Sequence, residues 1–302
     1  MRRKPNFFLV GTAKAGTTSL WRYFDQHPEI FVPSSDLFKE PAYFCQEFGI
    51  KEEKKYLNIF KSARNEHKAI GECSTAYMTC IDSPNLICDY ANQNNIDPKI
   101  IIMLRNPADR AYSLYNWNVL SGLEPASNFS KALNTEANRM HTNLPSFWLP
   151  SGYRKLYYYF QTGLYFAQVS QYMRLFSKEN IYIGLFEDFR KRPTEILQEI
   201  FKFLNVRDYS IPKTHVYNPS YSVVSPKLQV ILRNMTNILI RLHIIRNFKS
   251  IKERDRLLAF GLKKCKPNPI ELVIKQKLIE RYRTDILKLQ TLIKKDLSFW
   301  LN

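Results

Sequence analysis

Residues 7–24 read FFLVGTAKAGTTSLWRYF, and this run sets the architecture. Phe7–Gly11 is a continuous apolar stretch, the pattern of a strand buried on both faces of a parallel sheet. A loop of small residues follows, Gly11-Thr12-Ala13-Lys14-Ala15-Gly16-Thr17-Thr18-Ser19, after which Leu20, Tyr23 and Phe24 form an apolar stripe at helical spacing. A strand, a small-residue loop carrying a Lys, and a helix opened by hydroxyl residues make a phosphate cradle, because backbone N–H groups and the positive end of the helix dipole converge on one anion. Three further apolar runs, at 69–72, 99–104 and 180–186, read as buried strands. Helical patterns lie between and after them: 163–177 spaces Tyr165, Val169, Tyr172 and Phe176 along one face, and 193–204 opens with Pro193 and repeats Ile196, Ile200 and Phe203. This alternation predicts an α/β fold, a parallel sheet flanked by helices with right-handed crossovers. Beyond Ser225 no strand pattern is visible, and Leu278, Ile279, Tyr282, Ile286, Leu289 and Ile293 read as a long amphipathic helix. The chain is therefore expected to be a single domain, 1–302, with an α/β core over 1–225 and a helical C-terminal extension over 226–302.

The loop after the first strand resembles a P-loop but departs from G-x-x-x-x-G-K-[ST]. Thr17 stands where the nucleoside triphosphatase Lys belongs, and the loop Lys comes earlier, at Lys14. That departure argues against an ATPase or a P-loop kinase, as does the lack of a clear metal-binding Asp. A second anion signal follows the strand 99–104, in RNPADRAYSLY at 105–115. Arg105 sits at the carboxyl end of a strand, where open α/β sheets bind ligands, and Pro107 lets a helix begin there. Ser113 can offer its hydroxyl to the same anion.

Together the two signals resemble the sulfotransferases that use 3′-phosphoadenylyl sulfate (PAPS). In that family the loop matching Lys14, Ala15, Gly16, Thr17, Thr18 and Ser19 holds the 5′-phosphosulfate, and the stretch matching Arg105–Ser113 supplies Arg and Ser to the 3′-phosphate. LFKEPAYF at 37–44, GECSTAYM at 71–78, IYIGLFEDF at 181–189 and DLSFW at 296–300 are similar to segments of the bacterial and heparan-sulfate-type branch. The resemblance spans nearly the whole chain. It implies transfer of a sulfuryl group to an acceptor hydroxyl or amine, with 3′,5′-bisphosphoadenosine as product and no metal; the five His, at 27, 67, 141, 215 and 243, form no pair at metal-ligand spacing. It also implies Glu40 as general base and Lys14 as the group that stabilises the leaving phosphate. Lys39 and Glu72 are candidate contacts for the acceptor, Glu72 alternatively orienting the site, and Trp117 is a candidate contact as one of the aromatics of 115–160. The branch usually has a Lys directly after the Glu matching Glu72, and here Cys73 takes that place.

His27 is the rival base, since the enzymes of this family that act on small alcohols or phenols use a His. In Gln26-His27-Pro28 it falls at the end of the first helix, where His and Pro are expected as terminators. Lys213 and Lys227 fall in a segment, 213–227, that in the family often closes over the donor; each also reads as a solvated Lys. Trp117, Trp148, Tyr153 and Tyr157–Tyr159, with Arg154 and Lys155, offer stacking faces for a sugar, although most such aromatics are core residues.

The 302 residues carry 45 Lys and Arg against 27 Asp and Glu, a net charge of +18. From Pro226 to Asn302 eighteen Lys and Arg face six acidic residues, so +12 of that charge lies in the last quarter. An anionic partner is expected. The reading is a glycan or glycolipid acceptor rather than nucleic acid, because no nucleic-acid module is present and the paired phosphate motifs would then lack a purpose. The basic extension also suits peripheral contact with an anionic surface. Phe7–Val10 is too short for a signal segment, and the apolar run 230–240 is broken by Arg233 and too short to span a bilayer. Five cysteines form no C-x-x-C pair and cannot close into a complete disulfide set, so free thiols and a cytoplasmic location are expected.

Overall fold

The structure, a computed structural model, describes residues 4–36, 38–142, 154–211, 222–241, 262–263 and 268–302. Its central sheet has five strands: β1 (Phe7–Gly11), β2 (Ile30–Phe31), β3 (Ala69–Glu72), β4 (Lys99–Leu104) and β5 (Ile181–Leu185). Their order is β2-β3-β1-β4-β5, and every neighbouring pair is parallel. β1 is buried along its whole length and β4 at all but Lys99, which is why both read as unbroken apolar runs. After β3 the chain crosses over β1 to form β4, so the carboxyl end of β1 is the point where strand order reverses and where such sheets hold ligands.

The chain groups into two compact units with interleaved segments. The first comprises Met1–Arg105, Tyr165–Asn218 and Asp285–Asp296; the second comprises Asn106–Leu164, Pro219–Thr284 and Leu297–Asn302. The first holds the sheet and the helices α1 (Thr17–Phe24), α2 (Glu53–Asn58), α3 (Ser83–Gln93), α6 (Tyr165–Leu175), α7 (Phe186–Lys191) and α8 (Pro193–Phe203). Its core joins Phe7 and Leu9 of β1, Leu20, Trp21 and Phe24 of α1, Ile101 and Met103 of β4, and Ile196, Ile200 and Phe201 of α8.

The second unit contains α4 (Pro107–Leu120), α5 (Phe129–His141) and α9 (Pro226–Arg241). Asn106 caps α4 by accepting from the N–H groups of Ala108 and Asp109, at 3.0 and 3.2 Å. Beneath α4 a buried Glu124 carboxylate takes both forks of Arg139, at 2.6 and 2.8 Å, and the Tyr159 hydroxyl at 2.6 Å. A last helix, α10 (Leu272–Ile293), bears out the long amphipathic pattern near the C-terminus.

Two features differ from the sequence reading. A short antiparallel ribbon pairs Ser222–Val223 with Leu262–Lys263, where no strand was expected; two-residue strands carry no readable alternation. Cys45 and Cys80 are joined in a disulfide with Cα atoms 5.8 Å apart, whereas free thiols were expected. Their separation of 35 residues contains no motif, and only the packing of two loops brings them together. Cys73 and Cys88 are free thiols among the described residues.

Candidate active site

The cradle forms where β1 gives way to α1. Lys14 and Gly16 both adopt left-handed backbone, with φ of 72° and 82°. At Gly16 a Cβ would lie 3.1 Å from the rings of Phe186 and Phe189, so a side chain there would be both crowded and strained. This turn delivers the chain into α1 with Thr17 buried and Thr18 and Ser19 partly exposed. The first N–H groups of a helix have no intrahelical acceptor, so an anion placed there is met by donors and by the dipole.

Arg105, just past β4, closes the other side. Its Nη1 donates to the Lys14 carbonyl at 2.9 Å, its guanidinium lies 4.7 Å over the Phe186 ring, and its own carbonyl accepts from the Tyr165 hydroxyl at 3.0 Å. Lys14 thus stands among cations. Burial, together with the charges of Arg105 and Lys39, pushes its ammonium down from 10.5 to about 8. A cationic cluster that disfavours its own charge is a site prepared for an anion.

Glu40 lies beside this cluster. Its carboxylate accepts from Lys39 Nζ at 2.7 Å, from Thr75 Oγ1 at 2.8 Å and from the Thr75 N–H at 3.2 Å. Burial pushes the carboxyl up, but the Lys39 ammonium and the Thr75 donors outweigh it and hold Glu40 below the usual carboxylate range. Glu40 is therefore ionised at neutral pH, able to accept a proton. Lys39 itself is almost wholly buried and bridges the two halves of the site, since its charge acts on Lys14, Glu40 and Cys73 alike.

The segment carrying Glu40 runs alongside the segment that leaves β3. Ala42 N–H donates to Ser74 Oγ at 3.0 Å, Phe44 N–H to the Tyr77 hydroxyl at 3.2 Å, and Ser83 Oγ to the Phe44 carbonyl at 2.7 Å, with the Cys45–Cys80 disulfide at the far end. Glu72 anchors this ladder. It is fully buried and accepts from the hydroxyls of Tyr56 and Tyr77, each at 2.8 Å, and from Ser74. Through Ser74 and Tyr77, which also accept from the Ala42 and Phe44 N–H groups, Glu72 supports the segment that carries Glu40. Burial, only partly offset by those three hydroxyls, pushes its carboxyl up to about 7. Burial likewise drives the Cys73 thiol far up, so Cys73 carries no charge where the resembled branch has a Lys. Thr75, Tyr56 and Tyr77 were not singled out in the sequence; Thr75 was legible only as part of GECSTAYM.

His27 lies beyond the far end of α1 from Lys14. It is buried, its Nδ1 accepts from the Glu29 N–H at 3.0 Å, and its Nε2 faces the Arg207 carbonyl at 3.0 Å. Both ring nitrogens are used, the ring packs on Phe201 and Tyr209, and burial lowers its basicity. Ser113 and Trp117 lie on α4, Ser113 partly buried and Trp117 exposed, and Tyr157 and Tyr159 are core residues of the second unit. Lys227 is an exposed residue of the first turn of α9. Lys213, Trp148 and Tyr153 lie outside the described residues.

A left-handed glycine turn between strand and helix, faced by an Arg from the adjacent strand, defines a phosphate-binding α/β protein of the P-loop-like kind. A model of the sulfotransferase domain matches residues 4–218, and the chain belongs to that family. Among relatives, it is 26% identical over 223 residues to a mouse bifunctional heparan sulfate N-deacetylase/N-sulfotransferase 4, covering 71% of this chain and 24% of that protein. It is 26% identical over 257 residues to mouse carbohydrate sulfotransferase 15, covering 68% of this chain and 44% of that protein. The chain thus matches less than half the length of these two relatives. A sulfotransferase crystal structure from Alicyclobacillus acidocaldarius superposes with a TM-score of 0.72 at 27% identity, over 99% of this chain and 100% of that one.

Proposed function

We propose that the protein transfers a sulfuryl group from PAPS to a hydroxyl or amine of a carbohydrate, with Glu40 as general base. The observation that carries this reading is the cluster of Lys14, Arg105 and Lys39 around one ionised carboxylate at the point of strand reversal. The cradle fits the donor: a Cβ at Gly16 would be crowded against Phe186 and Phe189, and the surroundings of the turn are cationic and rich in N–H donors. PAPS, when bound, supplies the sulfuryl group and leaves as 3′,5′-bisphosphoadenosine. Lys14 and the first turn of α1 would hold the 5′ end, and Arg105 the 3′-phosphate. Glu40, oriented by Thr75 and kept charged by Lys39, accepts the acceptor's proton. Lys14 meets negative charge as it grows on the departing phosphate oxygen. A carbohydrate acceptor is supported by what the relatives' names describe and by the positive charge of the chain.

Titration with adenosine 3′,5′-bisphosphate, ATP and DNA, followed by transfer assays with labelled PAPS on phenols, alcohols, neutral glycans and acidic glycans, tests the proposal. Preference for the bisphosphate and transfer to glycans are expected. Preference for ATP or DNA, or transfer confined to phenols and simple alcohols, would refute it.

A further inference from the structure

Immediately before the Lys39–Glu40 pair, the chain forms one wall of a groove of about 590 Å³. Its apolar surface comes from Phe31, Pro33, Phe38, Ile50 and Ile59. Phe31 ends β2, and β2 runs parallel to β3 with Phe31 opposite Ile70, so the groove begins at the same carboxyl edge of the sheet that carries the cradle. Phe38 is two residues from Glu40 in the chain, and its ring remains 45% exposed. The wall is fixed from behind: Trp21 Nε1 donates to the Pro33 carbonyl at 3.0 Å, and Arg22 pairs with Asp36 at 2.8 Å.

Charge narrows the occupant. Lys55 and Lys61 stand on the groove, and of the described residues that line it none is acidic. Lys55 reaches Glu52, but both are exposed, and such a pair opposes an incoming anion only weakly. An apolar floor with lysines at its rim suits a molecule that has a hydrocarbon part and a negative group, whereas a polysaccharide polar on all sides would leave the floor wet.

Building on the carbohydrate reading above, we propose that the acceptor is an amphiphile, a glycolipid or comparable glycoside, whose alkyl or aryl group packs on Phe38 and Ile59 while its sugar is presented to Glu40. Lys55 and Lys61 then favour an acidic sugar over a neutral one.

Binding of octyl β-D-glucuronide, methyl β-D-glucuronide and octyl β-D-glucoside to the full chain, loaded with adenosine 3′,5′-bisphosphate and kept below micelle concentration, tests this by calorimetry. The octyl glucuronide is expected to bind at least tenfold more tightly than the methyl one, with the octyl glucoside between them. Phe38→Ala should cut the octyl advantage severalfold, and Ile59→Asp should erase it. Equal affinities for the octyl and methyl glucuronides, or an octyl advantage that survives both substitutions, overturns the inference. Binding of the bisphosphate in the same titrations reports on the donor site, so its loss would count against the sulfotransferase reading, while its retention with no octyl advantage counts against the groove alone.

Discussion

Lys14 offers the sharpest test of the cradle, because its ammonium is held near the wrong pKa until an anion arrives. In the free protein it titrates at about 8, against an ordinary 10.5. If the 5′-phosphate of a bound nucleotide restores the ordinary value, the bound state holds a proton that the free state releases between these two limits, and affinity falls as pH rises through the window. Linkage then gives ~0.5 proton taken up per ligand at pH 8 and a ~20-fold loss of affinity between pH 7.5 and 9.5. Starting at pH 7.5 keeps the measurement above the ~6 of a phosphate's second ionisation and above Glu72, at about 7. The assay is calorimetric titration with adenosine 3′,5′-bisphosphate in buffers of different ionisation enthalpy, where the slope of observed heat against buffer heat counts protons. Lys14→Met removes the titrating group and is expected to abolish the uptake while weakening binding. An affinity flat across this range, or an uptake that persists in Lys14→Met, would refute the idea that Lys14 faces the nucleotide.

Glu40→Gln is expected to lower transfer by ~10²–10⁴-fold with bisphosphate affinity nearly unchanged, and His27→Ala to alter stability more than turnover; the opposite pattern in rate assays would move the base to His27. Replacing Cys45 and Cys80 by Ser should cost ~2–4 kcal/mol in urea unfolding, because the disulfide closes a long loop. Glu72 has a folded pKa above its unfolded value, so stability should fall as pH rises from 4.5 to about 7, by up to ~3 kcal/mol. Glu72→Gln should flatten that slope in chemical denaturation. Gly16→Ala should destabilise the fold by ~1–2 kcal/mol and impair bisphosphate binding, since φ there is 82°.

Four of the five sheet strands are legible in the sequence, because strands covered on both faces are written as unbroken apolar runs bounded by loops. β2 is not, since Ile30–Phe31 is too short to show a pattern. The turn between β1 and α1 is legible for a related reason: residues 11–19 are contiguous, and the loop that joins the strand to the helix is written in one stretch. The base segment is not self-contained in this way. Glu40 depends on Thr75, 35 residues away, for two hydrogen bonds, and on Glu72 through Ser74 and Tyr77. The motif offers Glu72 either as an orienting residue or as an acceptor contact; its burial with Tyr56 and Tyr77 arises from packing between loops, which leaves no periodic trace.

The Cys45–Cys80 link and the ladder beside it divide the labour of the sheet about β1. Lys14 and Arg105 issue from β1 and β4, whereas Glu40, Thr75 and the groove belong to the connections around β2 and β3. Changes confined to groove residues such as Ile50, Asn58 and Ile59 would therefore leave Lys39, Glu40 and the turn that carries Lys14 in place. The covalent tie and the buried Glu72 hub hold the segment that carries Glu40 against the one that leaves β3, so the outer loops could change while that carboxylate keeps its Lys39 and Thr75 partners.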